Sequence, residues 1–279
     1  MEILIGADPE LFVKKEGIPH SAHGLIPGNK ANPFPVPDGA VQVDGMALEF
    51  NINPSKNEKQ FVHNIESVLS SLREMLPDVY AFDGSVSVQF DEAHIKEQPK
   101  EALALGCEAD FDAYEERQRP PPIAPKLVRT AGGHIHIGWT EHENPMESSH
   151  FLSCCQIAKQ LDFFLGIPSV CLDRDITRKS IYGGAGGFRP KPYGMEYRVL
   201  SNFWIESKEL MEFVFHQTKM AFDLFVDHDV SYFHMYGDNA RSIINHNNVL
   251  GARNFIREID EIVNYYDIDA FTKGKVIIK

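Results

Sequence analysis

Four short stretches place acids, imidazoles and guanidinium groups two residues apart. Asp8 and Glu10 flank Pro9, Glu49 is followed at the same parity by Asn51 and Asn53, His134 and His136 flank Ile135, and Glu196 and Arg198 flank Tyr197. In an extended strand, residues two apart share a face. The intervening positions include Leu48, Phe50 and Ile52 in one stretch and Ile135 and Ile137 in another. The pattern predicts strands with one apolar face and one face of carboxylate, imidazole and guanidinium. Hard divalent cations take oxygen ligands, and manganese and its neighbours also accept imidazole. Arginines beside such ions make planar, bidentate contacts to phosphate. No Gly-Lys-Ser/Thr loop follows the glycines of "YGGAGG", and no serine or cysteine nucleophile motif is present. The set therefore points to metal-assisted phosphoryl transfer.

Each stretch alone has a plainer reading. Asp-Pro-Glu is also turn chemistry, Glu49 suits an exposed edge, and a His-x-His strand suits a solvated face. Glu196 and Arg198 could form a cross-strand ion pair of about 0.2–1 kcal/mol and do nothing more. The plain readings require four coincidences at once.

The elements that must position these residues follow from periodicity. A first strand is expected over 2–7, running into Asp8-Pro9-Glu10, and residues 17–40 read as loop. "VQVDGMALEFNINP" (41–54) reads as a strand pair or one bulged strand. Helical spacing predicts a helix over 58–76, and 85–90 alternates as a strand. Residues 91–128, with "RPPPIAP" inside, read as an irregular, flap-like excursion. A strand over 134–139 precedes a helix capped by Ser148 or Ser149 and ended by Gly166. After a glycine- and proline-rich loop over 182–194 come a strand over 195–204 and a helix from Ser207 to about Val226. Helices over 238–246 and 251–265 and a last strand "KVIIK" close the chain. The order predicts an α+β fold, largely one antiparallel sheet, in a single domain over 1–279.

The 279 residues are ample for a core, and 43% hydrophobic with 24% charged residues is ordinary for a soluble globular protein. A formal net charge of −13 argues against nucleic acid as a partner. No apolar run suits a membrane span, and the N-terminus does not read as a signal peptide. Cys107, Cys154, Cys155 and Cys171 include no CxxC pair, so free, mostly buried thiols in a reducing cytoplasm are expected.

Taken in order, "GADPEL", "VQVDGMALEFNINP", "RTAGGHIHIGW" and "YGGAGGFRPKPYGMEYRVLSNFW" resemble the phage-type COOH–NH2 ligases (type 2), which are amidoligases similar in turn to glutamine synthetase and glutamate–cysteine ligase. The motifs span residues 6–204, and the ordered set carries the likeness. The resemblance implies a curved, glutamine-synthetase-like catalytic sheet with metals on its concave face and helices on its convex face. It implies that Asp8 and Glu10 fill the place of an acidic-x-Glu metal pair, with Asp in place of the more usual Glu. Asp44 and Glu49 would match a second acidic pair; their spacing is shorter, and their parity requires Gly45 to bend or bulge the strand. His134 would be a metal ligand, with His136 near the phosphates. Glu196 would hold metal and Arg198 clamp phosphate, with Arg178, Arg189 and Arg129 as further nucleotide-phosphate contacts.

The implied reaction is ATP- and Mg²⁺- or Mn²⁺-dependent amide formation through an acyl phosphate. It would join a small-molecule or peptide carboxylate to an amine in the cytoplasm, the host's if the protein is phage-encoded. A metal-dependent hydrolase using the His-x-His and carboxylate set, and a non-catalytic binding protein on the same fold, remain the alternatives. Neither the substrates nor the oligomeric state is legible.

Overall fold

The computed structural model describes residues 2–103, 110–121, 123–173, 175–259, 264, 266–271 and 273–277. The chain opens on β1 (Leu4–Lys15), β2 (Ile18–His20), β3 (Phe34–Val36), β4 (Gly39–Asp44) and β5 (Ala47–Ile52), then α1 (Glu58–Met75), β6 (Tyr80–Asp83) and β7 (Ser87–Gln89). Next come α2 (Glu92–Glu97), α3 (Lys100–Leu103), β8 (Phe111–Asp112), β9 (Arg117–Gln118), β10 (Val128–Thr130) and β11 (Gly133–Gly138). The helix α4 (Ser148–Leu161) runs through a π-helical turn (Asp162–Gly166) into α5 (Ile167–Leu172), followed by α6 (Ile176–Ile181), β12 (Gly187–Lys191) and β13 (Gly194–Tyr197). A 3-10 turn (Asn202–Glu206) leads to α7 (Lys208–Val226), α8 (Tyr232–Tyr236), α9 (Asn239–Asn245), α10 (Val249–Ile256) and α11 (Ile268–Phe271).

Eleven of these strands form an antiparallel sheet in the order β3-β4-β5-β1-β11-β13-β12-β8-β9, with β2 and β6 also paired to β1. This is the expected α+β class. Alternation sets the two faces. Ile5, Ala7, Leu48, Phe50, Ile135 and Ile137 point into the main core, where Phe61 and Ile65 of α1 and Phe213 and Val214 of α7 meet them. Each fully buried side chain of that size contributes about 1.5–3 kcal/mol relative to exposure. Among the described residues no helix is long and apolar enough to cross a membrane. Cys154, Cys155 and Cys171 are free and buried; Cys107 lies outside the described residues.

Several boundaries differ from expectation for physical reasons. The first strand does not stop at residue 7. β1 continues for 12 residues through Pro9, because alternate residues face opposite neighbours. Ile5 N–H donates to Ser55 on one side and Glu10 N–H to Gly132 on the other. The Pro9 nitrogen shares the Ile5 side, between that bridge and the first β1–β5 pair at Glu10–Glu49, so no ladder bond to β11 is lost.

Residues 41–54 form a hairpin rather than a bulged strand. Gly45, at φ +60° in the first central position of the turn, adopts the backbone a tight hairpin requires there. Gly166 does not end a helix. It is helical itself, and an added Cβ would stand 2.5 Å from Ile244 Cδ1 and 3.0 Å from the Tyr197 hydroxyl, so the glycine allows close packing while the rod continues to Leu172. The cap of α4 is Glu147, which accepts from the Ser149 and His150 N–H groups; neither serine caps it.

Between residues 91 and 128 the described chain holds two short helices and the β8–β9 hairpin, and β8 extends the main sheet beside β12. The strand expected over 195–204 leaves the ladder after Tyr197. In "KVIIK", residues 275–277 are not strand, and 278–279 lie outside the described residues. Of the helix expected over 251–265, α10 ends at Ile256 and residues 260–263 lie outside the described residues.

Candidate active site

Pair register carries one row of polar side chains across six neighbouring strands. Gln42 of β4 faces Glu49 of β5, Glu49 faces Glu10 of β1, and Asp8 of β1 faces His134 of β11. His136 then faces Glu196 of β13, which faces Arg189 of β12. Directly paired residues share a face, so the whole row lies opposite the Ile135/Ile137 face. The hairpin also removes the parity conflict of Asp44 and Glu49. Asp44 shares a face with Gln42 two residues earlier, and through it with Glu49.

Most of this row lines one cavity of about 180 Å³. Asp8, Glu10, Asp44, Glu49, His134 and Glu196 contribute to it, as do Arg129, Arg189 and Arg198. The acids are crowded. Burial raises the Glu10 carboxyl, partly offset by His134 and the Gly132 N–H, which donates to Glu10 Oε2 at 2.7 Å. Burial and the Asp8, Glu10 and Asp44 charges push Glu49 well above the ordinary carboxylate range, although Gln42 donates to its Oε2 at 2.7 Å. Asp8 behaves oppositely: burial alone would raise it, but His136 and His134 hold it well below its usual value. Burial and the Arg198 charge lower His134, so its imidazole is neutral at pH 7, the form that binds metal.

Glu196 is the hub of the cationic side. Lys191 Nζ lies 2.9 Å and Arg189 3.6 Å from its Oε2, and Arg198 pairs with its Oε1. Arg198 is itself oriented from behind. Its Nε donates to Asp110 Oδ1 at 2.6 Å and to the Tyr182 hydroxyl at 2.5 Å, and Tyr182 donates to the same Asp110 oxygen at 2.8 Å. Its NH1 approaches His134 Nδ1 at 3.3 Å.

Several members of this cluster were not read from the sequence. Lys191 stands two residues from Arg189 on β12, so alternation pointed to it. Lys30, 3.9 Å from Asp44, Asp110 and Tyr182 come from loops whose approach no local pattern reveals. Arg178 departs from expectation. It is fully buried outside the cavity, donating to the carbonyls of Val199 at 2.9 Å and Leu200 at 2.8 Å. The guanidinium thus satisfies the backbone where β13 leaves the ladder and is not presented to a phosphate. Arg129 reaches the cavity edge, with NH1 bound to the carbonyls of Lys126 and Val128.

The donor set suits a hard divalent cation. His134 Nε2 is buried without a hydrogen bond, a costly state unless another partner binds it, while Asp8 Oδ1, His136 Nε2 and both Glu196 oxygens are held by ion-pair contacts rather than aligned hydrogen bonds. One ligand atom each from Asp8, His136 and Glu196 lies within 4.8 Å of the others. That grouping takes His136, where His134 was the expected ligand. His134 Nδ1 sits beside it, 3.3 Å from Asp8 and 3.5 Å from Glu196.

A second hollow of about 690 Å³ adjoins the first. Asp8 and Glu49 line both. His136 opens on this second side, its Nδ1 paired with the Tyr193 hydroxyl and its Nε2 3.1 Å from Asp8 Oδ2.

No curated protein matches the chain. A bifunctional glutathione synthetase from Pasteurella multocida shares its fold, with a TM-score of 0.53 and 11% identity over 98% of this chain and 46% of that one. The chain thus spans just under half the length of that enzyme. A structure described as a novel glutamine synthase homolog aligns over 98% of this chain and 70% of its own at 10% identity, with a TM-score of 0.38. The family model for phage phiEco32-like COOH.NH2 ligase-type 2 matches residues 128–236. The matched segment holds the histidine strand, the glycine-rich loop and the Glu-x-Arg strand, and is similar to that family there, in agreement with the resemblance of the motifs.

Proposed function

We propose that the protein is an amide-forming ligase that uses ATP and a divalent cation, Mg²⁺ or Mn²⁺, to join a carboxylate to an amine. The observation that carries the reading is the single row in which five acids and two histidines meet Arg189, Lys191 and Arg198 on one face of the sheet. In the reaction, a substrate carboxylate oxygen attacks the γ-phosphorus, and ADP leaves. The amine nitrogen then attacks the acyl carbon as the C–O bond to phosphate breaks, and one proton is released as the amide forms. The first step brings a carboxylate against a polyanion, so the barrier is largely electrostatic.

Asp8, His136 and Glu196 are the residues that would hold the cation, with Glu10, Glu49 and His134 around them. Bound there, it would cancel negative charge and polarise phosphoryl oxygens. Arg189, Lys191 and Arg198 would face the phosphates, with Arg198 held in direction by Asp110 and Tyr182. Arg129 and Asp44 are placed at the cavity wall for supporting contacts. The segment around residues 110–130 would limit water at the acyl phosphate. The substrate is a small-molecule or peptide carboxylate, and a reducing cytoplasm suits the three free, buried cysteines. A hydrolase would use the same acids and imidazole, but the cationic wall has no role in attack by water alone.

The test is calorimetry with Mn²⁺ and ATP on the wild type and on Glu10→Gln and Glu49→Gln, followed by a screen for ADP release over carboxylates and amines. Metal-dependent nucleotide binding that both substitutions weaken, and ADP release requiring both substrates, are expected. Equal ATP binding without metal and in both variants, or amide hydrolysis without nucleotide, would overturn the proposal.

A further inference from the structure

Charge is divided between the two hollows. Lys30, Arg129, Arg189, Lys191 and Arg198 all line the inner cavity. Among the described residues, no lysine or arginine lines the outer hollow. Its rim carries Glu2, which also pairs with Lys56 at 3.3 Å, and Glu141; its floor is Asp8 and Glu49. Its one other basic side chain, His136, is engaged by Asp8 and Tyr193. Leu4, Pro54 and Trp139 give it an apolar wall. A phosphate placed there would meet acidic side chains and no lysine or arginine of the hollow's own lining, whereas an ammonium group would be attracted by those acids. The volume, about 690 Å³, is that of a site for an organic ligand rather than for ammonia.

From this segregation we infer that the outer hollow is the entry and binding site of the amine substrate, and that the amine is an organic primary ammonium on an alkyl stem. The inference rests on the ligase reading and adds a substrate class to it. The stem lies along Leu4, Pro54 and Trp139, and the ammonium points to the strip formed by Asp8 and Glu49. That strip is where the two hollows meet, so the amine reaches the acyl carbon from the side opposite the phosphate-facing cations. Nucleotide and amine then use separate entrances, and neither crosses the other's charge field.

The test uses n-pentylammonium, n-pentanoate and ammonium chloride as probes, with Mn²⁺ present throughout. Binding is read by calorimetry and by the indole resonance of Trp139. Pentylammonium is expected to bind and to shift that resonance, ammonium to bind far more weakly, and pentanoate not to bind. Glu141→Lys, at an exposed position of the rim, is expected to weaken pentylammonium binding by about tenfold. Pentanoate binding as well as pentylammonium, ammonium binding as tightly as the alkyl amine, or an unchanged affinity in Glu141→Lys would each overturn the inference. Binding of Mn²⁺ and ADP is measured separately on the same protein. Amine binding without nucleotide binding would sink the ligase reading alone, and nucleotide binding without amine binding would sink the assignment of the hollow alone.

Discussion

Glu196→Gln tests the charge balance of the site most directly. The carboxylate is 1% exposed and faces Lys191 at 2.9 Å and Arg189 at 3.6 Å, with Arg198 closer still. At an effective dielectric of about 20, the first two contacts correspond to about 6 and 5 kcal/mol of gross attraction. Removing one partner of a buried charge set costs about 3–5 kcal/mol net, because the remaining charges stay desolvated. Lys191 and Arg189 keep 26% and 18% side-chain exposure, so they can turn partly toward water, and the expected loss falls to about 2–3 kcal/mol. Glutamine preserves the shape, so no cavity adds to the cost. Urea unfolding of metal-free protein at pH 7 reads the effect as a lower midpoint at constant slope. Added Mn²⁺ should then stabilise the wild type and stabilise the variant less, since a ligand binding only the folded state raises its stability by mass action. A variant within about 0.5 kcal/mol of wild type without metal, and equally stabilised by Mn²⁺, would refute this account of Glu196.

Three further outcomes follow from the packing. Burial raises the Asp162 carboxyl to about 7, against hydrogen bonds from the Tyr197 and Tyr114 hydroxyls that lower it. The folded state therefore holds a proton that the unfolded state gives up near 3.8, so its stabilisation is complete below that value and is lost as pH rises through 7. The loss amounts to up to about 4 kcal/mol, and pH-dependent denaturation should find it absent in Asp162→Asn. Gly166→Ala places a methyl 2.5 Å from Ile244 Cδ1 and should cost about 1–3 kcal/mol by thermal unfolding. Arg178→Met leaves the Val199 and Leu200 carbonyls without their buried donor and should cost about 2–4 kcal/mol, read as a fall in urea midpoint.

The sequence revealed faces more readily than paths. Alternation alone assigns His134 and His136 to one side and Ile135 and Ile137 to the other, because a strand has only two sides. It assigns Asp8 with Glu10 and Glu196 with Arg198 on the same ground. It left open whether Gly45 reverses the chain or bulges it, since a bulge and a hairpin look alike over so few residues. Gly166 shows the opposite failure: a glycine at an apparent helix end signals a cap unless a distant side chain, here Ile244, needs the space. Arg178 was misplaced because an arginine near a glycine-rich loop looks the same whether it faces phosphate or backbone carbonyls. Asp110 and Lys30 were invisible because each reaches the site across a loop.

The manner in which β1 is paired has a kinetic consequence. Its residues 4–9 pair with β11, 10–11 with β5 and 12–15 with β6, so the site straddles the point where one set of neighbours gives way to another. Asp8 meets His134, and His136 meets Glu196; the first of these contacts joins residues far apart along the chain. No segment shorter than residues 8–196 contains the acid–imidazole row. During synthesis the first acids therefore emerge long before their partners and wait as an exposed, incompletely paired strand. Closing such distant pairs is slow, and the hairpin of β4 and β5 is the partner already at hand to cover β1 in the meantime.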